Sequence, residues 1–274
     1  MILNKLKRFV LDPYPLRTLT INAMQRFDLG KYETRLQLSA VERPHYGYIV
    51  YHAAALAKKM GLPKISVMEF GVAGGNGLVN LEYHAQQVSE LFGVEIEIYG
   101  FDTGAGLPAP EDYRDLPYHW KNGFFRMDVP ALQARLQKSK LVLGDIRQTA
   151  KNFFADFNPA PIGAISHDFD YYSSTAAALE LFNADSDHFL PRVFCYFDDT
   201  LGSEMELYND YTGERLAINE FNEQHKNIKL GMPYHLLARK IVEPWYHQIR
   251  ICHFFAHRRY NDFVSNENQQ LQIQ

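Results

Sequence analysis

Carboxylate side chains follow several apolar segments of this 274-residue chain, at the point where each segment ends. The stretch "IGAISHDFD" ends with Asp168 and Asp170, which are two residues apart and are therefore expected on one face of a strand end. The stretch "RVFCYFDD" ends with Asp198 and Asp199. Four carboxylates gathered at one edge of a sheet repel one another unless a cation lies among them.

Two interpretations of these carboxylates are open. They can be solvated caps, since Asp170 precedes two serines and Asp199 precedes a threonine. They can also be ligands, because hard oxygen donors suit Mg²⁺ or a similar divalent ion. A single pair would favour caps. Two pairs on strands that are expected to be neighbours favour a metal site.

The second chemical feature is the glycine-rich stretch "MEFGVAGGNGLVNLEYH" (68–84), between a predicted strand and a predicted helix. Glycine permits positive φ and lets backbone amides approach a ligand closely. The dinucleotide fingerprint G-x-G-x-x-G fits this loop poorly, because alanine occupies its second glycine site. A turn that serves packing alone is an alternative. A loop that binds S-adenosylmethionine has an acidic residue followed by small residues at every second position. This stretch matches that pattern without a gap: Glu69, Gly71, Ala73, Gly75 and Gly77.

Asp102 closes the next predicted strand, "EIEIYGFD" (95–102). A carboxylate there can accept hydrogen bonds from both hydroxyls of a ribose, or it can cap the following turn. Because the glycine loop precedes it, we favour the ribose role. Asp145, at the end of "KLVLGD" (140–145), completes the predicted cofactor-binding set.

Two further features of the sequence lie near the predicted site, the stretch 103–127 and His167. The stretch 103–127 is long and aromatic, so it is either a lid or acceptor wall beside the ligand edge, or simply packed structure. His167 directly precedes the acidic strand end and could bear on the same site.

Hydrophobic periodicity predicts the elements that position these residues. Strand-like and helix-like segments alternate, which is typical of a parallel sheet covered by helices on both faces. Ligands of such sheets bind at the carboxyl ends of the strands. The predicted strands are 65–70, 95–102, 140–145, 162–170, 192–199 and 247–257, and the predicted helices are 46–63, 78–92, one opened by Asp128 and Pro130, 174–182 and 213–225.

Composition bounds the class of protein. Hydrophobic residues make up 46% of the chain, which suffices for the core of an ordinary α/β domain. Lys and Arg total 28 against 32 for Asp and Glu, and this net charge of -4 counts against a nucleic-acid partner. Cys195 and Cys252 lie in apolar runs, so we expect buried thiols without a disulfide.

No stretch has the pattern of a signal peptide or a membrane span, so we expect a cytoplasmic protein without a membrane partner. No repeat or linker divides the chain, and we expect a single domain over residues 1–274. Within it, residues 1–45 are predicted as a helical extension and residues 264–274 as a disordered tail.

Four motifs, "EFGVAGGNG", "IYGFDTGAGLP", "DFDYYSST" and "FDD", occur in this order. Together they resemble the macrocin O-methyltransferase (TylF-like) family of class I, S-adenosylmethionine-dependent methyltransferases over residues 45–225. The resemblance implies a Rossmann-like α/β fold with a mostly parallel seven-stranded sheet, and a homo-oligomer. Gly104 and Ala105 stand where the family usually has Phe and Glu.

The resemblance also implies roles by position. The glycine-loop residues match the family's S-adenosylmethionine loop, and Asp102 matches its ribose-binding acid. Asp170 matches the proposed general base. The divalent-metal ligands would be Asp168, Asp198 and Asp199.

The predicted activity is Mg²⁺-dependent transfer of a methyl group from S-adenosylmethionine to a small-molecule hydroxyl. The acceptor that would use both the metal ion and the general base is a vicinal diol, on a sugar or a catechol of a natural product. The rivals are an NAD-dependent oxidoreductase, a non-catalytic nucleoside-binding module, and a methyltransferase of protein or nucleic acid. The loop spacing counts against the first rival and the intact carboxylate set against the second. The acidic charge balance counts weakly against nucleic acid.

Overall fold

The strands of this chain form one continuous sheet. The computed structural model describes residues 15–266, and its strands are β1 (Lys64–Phe70), β2 (Glu95–Asp102), β3 (Lys140–Leu143), β4 (Ile162–His167), β5 (Phe189–Phe197), β6 (Ile228–Gly231) and β7 (Ile249–Phe254). They pair in the order β3-β2-β1-β4-β5-β7-β6. β7 runs antiparallel to both of its neighbours, and the other pairings are parallel. The predicted α/β fold with a mostly parallel seven-stranded sheet is confirmed.

Helices cover both faces of this sheet. The described helices are α1 (Pro15–Arg26), α2 (Tyr32–Gln37), α3 (Pro44–Lys59), α4 (Asn76–Phe92), α5 (Val129–Arg135), α6 (Ile146–Phe157), α7 (Tyr172–Leu179) and α8 (Gly213–Gln224). α3 and α4 pack on one face, and α6, α7 and α8 pack on the other. Within residues 15–266, every helix is too short or too polar to cross a membrane.

The central strands β1 and β4 are almost entirely buried because both of their faces are covered. All six residues of β4 are buried. Successive side chains of β1 alternate between the two cores: Ile65 and Val67 pack on the α3 side, and Met68 and Phe70 pack on the α6 side. The same alternation directs Glu69 toward α3, where its carboxylate meets Tyr46.

Local signals account for the helix boundaries near the site. The Asp128 side chain accepts a hydrogen bond from the Ala131 amide (3.0 Å) and so caps α5, as the Asp–Pro signal predicts. Gly93 ends α4 in the left-handed conformation, with φ of 65°. The apolar face of α4 packs against the core, with Leu78, Leu81, Ala85 and Val88 buried and Phe92 partly buried.

Two differences from the predicted elements matter for the site. The strand predicted over 162–170 ends at His167, so that the acidic residues lie in the turn that follows. The strand β6 was not located by periodicity, because its four residues offer too short a pattern. Cys195 and Cys252 are buried free thiols, as predicted.

The prediction of one domain over residues 1–274 reaches beyond the described part at both ends. Its helical extension, 1–45, includes α1 and α2, and residues 1–14 lie outside the described residues. Most of the predicted tail, 264–274, also lies outside them.

Candidate active site

The carboxyl ends of the parallel strands β3, β2, β1, β4 and β5 open into one cleft of about 430 Å³. This volume is typical of a site for a small organic ligand. The strand order reverses between β1 and β4, which is where open α/β sheets bind ligands. Every residue predicted for the cofactor, the metal or the base lines this cleft: Glu69, Gly71, Ala73, Gly75, Gly77, Asp102, Asp145, Asp168, Asp170, Asp198 and Asp199.

The glycine loop between β1 and α4 is held against its neighbours. The Gly71 amide donates to the carbonyl of Phe101 (2.9 Å), and a Cβ at Gly71 would lie 1.7 Å from the Asp168 carbonyl oxygen. Gly75 has φ of 80°, which a side chain would strain. A Cβ at Gly77 would lie 1.9 Å from Glu69 Oε1. Packing therefore explains part of the glycine pattern, and the same small residues leave the cleft open.

The two carboxylates at the β2 and β3 ends already bind backbone amides. Asp102 Oδ2 accepts from the Ala73 amide (2.8 Å), and Asp102 Oδ1 accepts from the Gly104 amide (2.6 Å). Asp145 caps α6 by accepting from the Arg147 amide (2.9 Å) and forms an ion pair with the same arginine (2.6 Å). The capping alternative therefore describes the contact of Asp102 with the Gly104 amide, and Asp145 is a helix cap as well. Each carboxylate oxygen has two acceptor positions, so one remains available on each Asp102 oxygen for a ribose hydroxyl.

Carboxylates at the ends of β4 and β5 face one another instead. One oxygen from each of Asp168, Asp198 and Asp199 lies within 4.8 Å of the other two. Burial, together with the facing charges, raises the pKa of Asp168 well above its usual range and that of Asp199 to about 7. Oxygen donors at this spacing fit a hard divalent cation.

A layer of hydrogen bonds beneath this cluster orients Asp199. Its Oδ1 accepts from the Tyr208 hydroxyl (2.9 Å), and its Oδ2 accepts from the Asp170 amide (2.7 Å). The Asp199 amide in turn donates to Oε2 of Glu214 (2.9 Å), a fully buried residue of α8. Asp199 does not use its carboxylate to cap the turn at Thr200, so the capping interpretation fails for this residue.

Asp170 lines the cleft, but its backbone position differs from the predicted one. It has φ of 60° and lies beyond the end of β4, so the period-two placement of Asp168 and Asp170 on one strand face does not apply. Burial and then the charges of Asp199 and Asp198 raise the pKa of Asp170 to about 9. The amide of Ser173 is bound by Asp115 rather than by Asp170, so Asp170 is not a helix cap either.

His167 is placed away from the cleft. Its ring is fully buried and stacks on Phe197, with ring centroids 4.2 Å apart. Burial lowers its pKa to about 3, so the ring is neutral at physiological pH. The idea that His167 bears on the site is not supported by its position.

The aromatic stretch 103–127 combines both of its predicted interpretations. Leu116 and Trp120 pack with Tyr171 in a small separate core. Asp115 anchors the stretch by accepting from the Ser173 amide (2.8 Å) and hydroxyl (2.9 Å). Part of the stretch is thus packed structure. Other side chains of it form an apolar wall of the cleft: Leu107, Pro108, Trp120 and Phe125.

Several residues at the site were not identified from the sequence. Arg43 lines the cleft from the start of α3, and the buried Tyr46 donates its hydroxyl proton to Glu69 Oε1 (2.7 Å). Glu206 lines the cleft from the segment that follows β5, close to Tyr208. The available signals were an arginine three residues before the helix predicted over 46–63 and a run of acidic and aromatic residues after the second Asp pair. Neither signal is specific.

No family model matches the chain, and comparison with curated proteins gives no match. Among solved structures, the calicheamicin methyltransferase CalS11 is 20% identical, with 87% of this chain and 91% of that chain covered and a TM-score of 0.50. The O-methyltransferase NovP is 11% identical, with 86% and 96% covered and a TM-score of 0.52. At these identities the likeness shows a shared fold, which is the α/β fold of these methyltransferases.

Proposed function

We propose that this protein is an S-adenosylmethionine-dependent O-methyltransferase of the TylF-like kind, which uses a divalent cation to methylate a hydroxyl of a small molecule. One observation carries the proposal. A single cleft holds a glycine loop with a ribose-competent carboxylate at one end, and a cluster of facing carboxylates at the other. A nucleoside methyl donor and a metal-bound acceptor need these two environments next to each other.

The ends of β1, β2 and β3 are suited to the adenosyl part of the donor. Asp102 is oriented by two backbone amides, and its remaining acceptor positions can take both ribose hydroxyls. Asp145 and Ile146 continue the cleft beyond the end of β3, where a purine ring would lie. The glycine loop leaves room for the sulfonium between this region and β4.

The carboxylates of Asp168, Asp198 and Asp199 would hold the cation. A divalent cation held there would supply Lewis-acid activation of the reacting hydroxyl. Tyr208 and Glu214 keep Asp199 in place through its side chain and its backbone amide. These residues act on the site through Asp199.

The chemical step is an in-line displacement at the methyl carbon. The acceptor oxygen forms a bond to the methyl carbon while the carbon–sulfur bond breaks. The electron pair of the carbon–sulfur bond stays on sulfur, which gives S-adenosylhomocysteine. Asp170 takes the proton of the hydroxyl. A divalent cation held by Asp168, Asp198 and Asp199 would offset the repulsion among the carboxylates and favour the ionised form of Asp170, which a base requires.

The proposed acceptor is a vicinal diol of a natural product, carried on a sugar or an aromatic ring. Trp120, Phe125 and Leu107 offer apolar contact for the body of such a molecule. The description of CalS11, which shares the fold, as a calicheamicin methyltransferase agrees with a natural-product acceptor.

Calorimetry with S-adenosylmethionine, S-adenosylhomocysteine and NADH, each with and without Mg²⁺, tests the proposal. We expect micromolar binding of both sulfur nucleosides, and a separate Mg²⁺ signal that Asp199→Ala abolishes. Methyl transfer to a panel of sugar and catechol diols, followed by mass spectrometry, then identifies the acceptor class. Absence of binding by either sulfur nucleoside would overturn the proposal, and binding of NADH instead would favour an oxidoreductase.

A further inference from the structure

The carboxyl groups that line the cleft outnumber its cations. The described lining holds nine carboxyl groups and two arginine side chains. A bound methyl donor carries one net positive charge and a divalent cation carries two, so together they do not match this excess. An acceptor with a phosphate or a carboxylate would add to the repulsion, whereas a positively charged acceptor would reduce it.

Eight of the nine carboxyl groups have a partner or a proposed task. Asp145 and Glu111 pair with Arg147, at 2.6 Å and 3.4 Å. Asp102 accepts from two backbone amides, and Glu69 accepts from a buried tyrosine. The proposed metal ligands and the proposed base account for four more. The carboxyl group that is left belongs to the residue after Met205, which is Glu206.

Glu206 lies between the carboxylate cluster and the aromatic stretch. Its Oε1 is 3.7 Å from Nε2 of His119, and its backbone carbonyl accepts from the Tyr118 hydroxyl. Its Oε2 accepts from the Ser203 amide. Burial and the neighbouring Asp charges raise the pKa of Asp170, and the charge of Glu206 adds to this effect. Glu206 is therefore near the proposed base and beside the proposed acceptor wall.

The carboxylate of Glu206 can be reached from the cleft, and aromatic rings lie next to it. Its side chain is 20% exposed, and the histidine 3.7 Å away is charged only when protonated. The ring of His119 lies 4.3 Å from that of Trp120, whose ring in turn lies 5.7 Å from that of Phe125, measured between centroids. Trp120 and Phe125 both line the cleft. A carboxylate beside aromatic faces is an environment that favours an organic cation.

Neither arginine of the described lining is placed to reverse this preference. Arg147 is already paired with Asp145 beyond the end of β3. Arg43 lies at the start of α3, with its guanidinium 5.5 Å from the centroid of the Tyr46 ring. An anionic acceptor would therefore meet Glu206 without a cation beside it.

We propose that the acceptor carries a protonated amine close to its diol, and that Glu206 Oε1 and the faces of Trp120 and Phe125 bind this ammonium group. The assignment rests on the proposed function and narrows its acceptor to an amino-substituted diol. A protonated amine has no lone pair, so it is bound rather than methylated. The methyl group still goes to a hydroxyl, whose proton passes to Asp170.

The test compares probes that differ in charge but share a diol. The aromatic series is dopamine, which is cationic, ethylcatechol, which is neutral, and dihydroxyphenylacetate, which is anionic. The sugar pair is methyl glucosaminide, which is cationic, and methyl N-acetylglucosaminide, which is neutral. Dissociation constants are measured by calorimetry on protein saturated with S-adenosylhomocysteine and Mg²⁺. In at least one series we expect the cationic probe to bind about 10-fold to 100-fold more tightly than the neutral one.

A matched pair of variants assigns this preference to one residue. Glu206→Gln keeps the size of the side chain and an acceptor for the Ser203 amide, so it should bind S-adenosylhomocysteine and the neutral probe as wild type does. It should reduce the preference for the cationic probe to about 2-fold or less. Glu204→Gln is the control, because Glu204 is an exposed residue of the same segment that does not line the described cleft. This control should keep the preference.

The outcomes separate this assignment from the proposed function. A cationic probe that binds no better than its neutral partner in either series would overturn the assignment, as would a preference that Glu206→Gln retains. An equal loss in Glu204→Gln would also overturn it, since the preference would then reflect the overall charge of the segment. In each case the proposed function stays in place if wild type binds S-adenosylhomocysteine. A wild-type protein that does not bind this nucleoside would overturn the proposed function, and the assignment with it.

Discussion

The two ends of the cleft hold their carboxylates in different ways. At the ends of β2 and β3, Asp102 and Asp145 accept hydrogen bonds from backbone amides, so their charges are stabilised by the protein itself. At the ends of β4 and β5, Asp168, Asp198 and Asp199 face one another, and the pKa values of Asp168 and Asp199 are raised. The carboxylates at the first end have donors from the protein, whereas those at the second end lie close enough to raise one another's pKa values.

Under the proposed function, this difference separates two tasks within one cleft. Backbone-bound carboxylates keep a fixed position and can recognise a nucleoside through their remaining acceptor positions. Carboxylates that repel one another are suited to holding a cation, and through it an acceptor. Substitutions at the two ends should therefore have separable effects on nucleoside binding and on turnover.

The largest expected effect is at the base. Asp170→Asn should lower turnover about 10²-fold to 10⁴-fold, because the acceptor proton loses its recipient. S-adenosylhomocysteine affinity should stay near the wild-type value, since the cofactor end is untouched. Turnover is measured on an acceptor from the diol panel and affinity by calorimetry. Wild-type turnover in this variant would remove Asp170 from the mechanism.

Glu69 is the exception at the cofactor end, because burial raises its pKa to about 8. The unfolded chain ionises this group above about pH 4.5, but the folded chain ionises it only near pH 8. The free energy of unfolding should therefore fall between pH 5 and pH 8, by an amount on the order of a few kcal/mol. Denaturant titrations at both pH values should show a smaller fall for Glu69→Gln. If the free energy of unfolding fell equally in wild type and in Glu69→Gln, Glu69 would be ionised in the folded protein.

The glycine loop allows a matched pair of substitutions. Gly75→Ala should weaken S-adenosylhomocysteine about 10-fold, because φ of 80° is strained with a side chain and its Cβ would lie 2.1 Å from Leu132 Cδ1. Gly74→Ala should bind normally, since its Cβ would meet nothing within 4 Å. Calorimetry on both variants checks this. Similar losses in the two variants would show that the loop responds to any side chain.

The smallest expected effect is on stability without metal. Asp168→Asn removes one buried ionisable carboxyl group, and with it the repulsion toward Asp198 and Asp199, so the metal-free protein should melt a few degrees higher. Added Mg²⁺ should raise the melting temperature of wild type but not of this variant. The exposed Asp156 provides the control, because Asp156→Asn should keep the Mg²⁺ response. If Asp168→Asn melted at a lower temperature than wild type and still responded to Mg²⁺, the carboxylates at the ends of β4 and β5 would not be held in the way described here.

Some of the site escaped prediction because it depends on contacts between distant segments. Tyr46 reaches Glu69 across 23 residues, and Glu214 supports Asp199 across 15. Neither Tyr46 nor Glu214 stands out in its own helix, where each has an ordinary pattern of neighbours. Asp170 has a left-handed backbone conformation that a strand period could not anticipate.

The amino-acid sequence by itself determined the alternation of strands and helices, and with it the edge of the sheet where ligands bind. Hydrophobic periodicity and helix caps are local, so they can be recognised in a single chain. Because carboxylates and glycines ended successive strands, the sequence also determined which side chains share the cleft. Tertiary structure alone decided which of these carboxylates face one another and which do not. That division depends on where chain segments lie after packing, and burial then sets the cost of each charge.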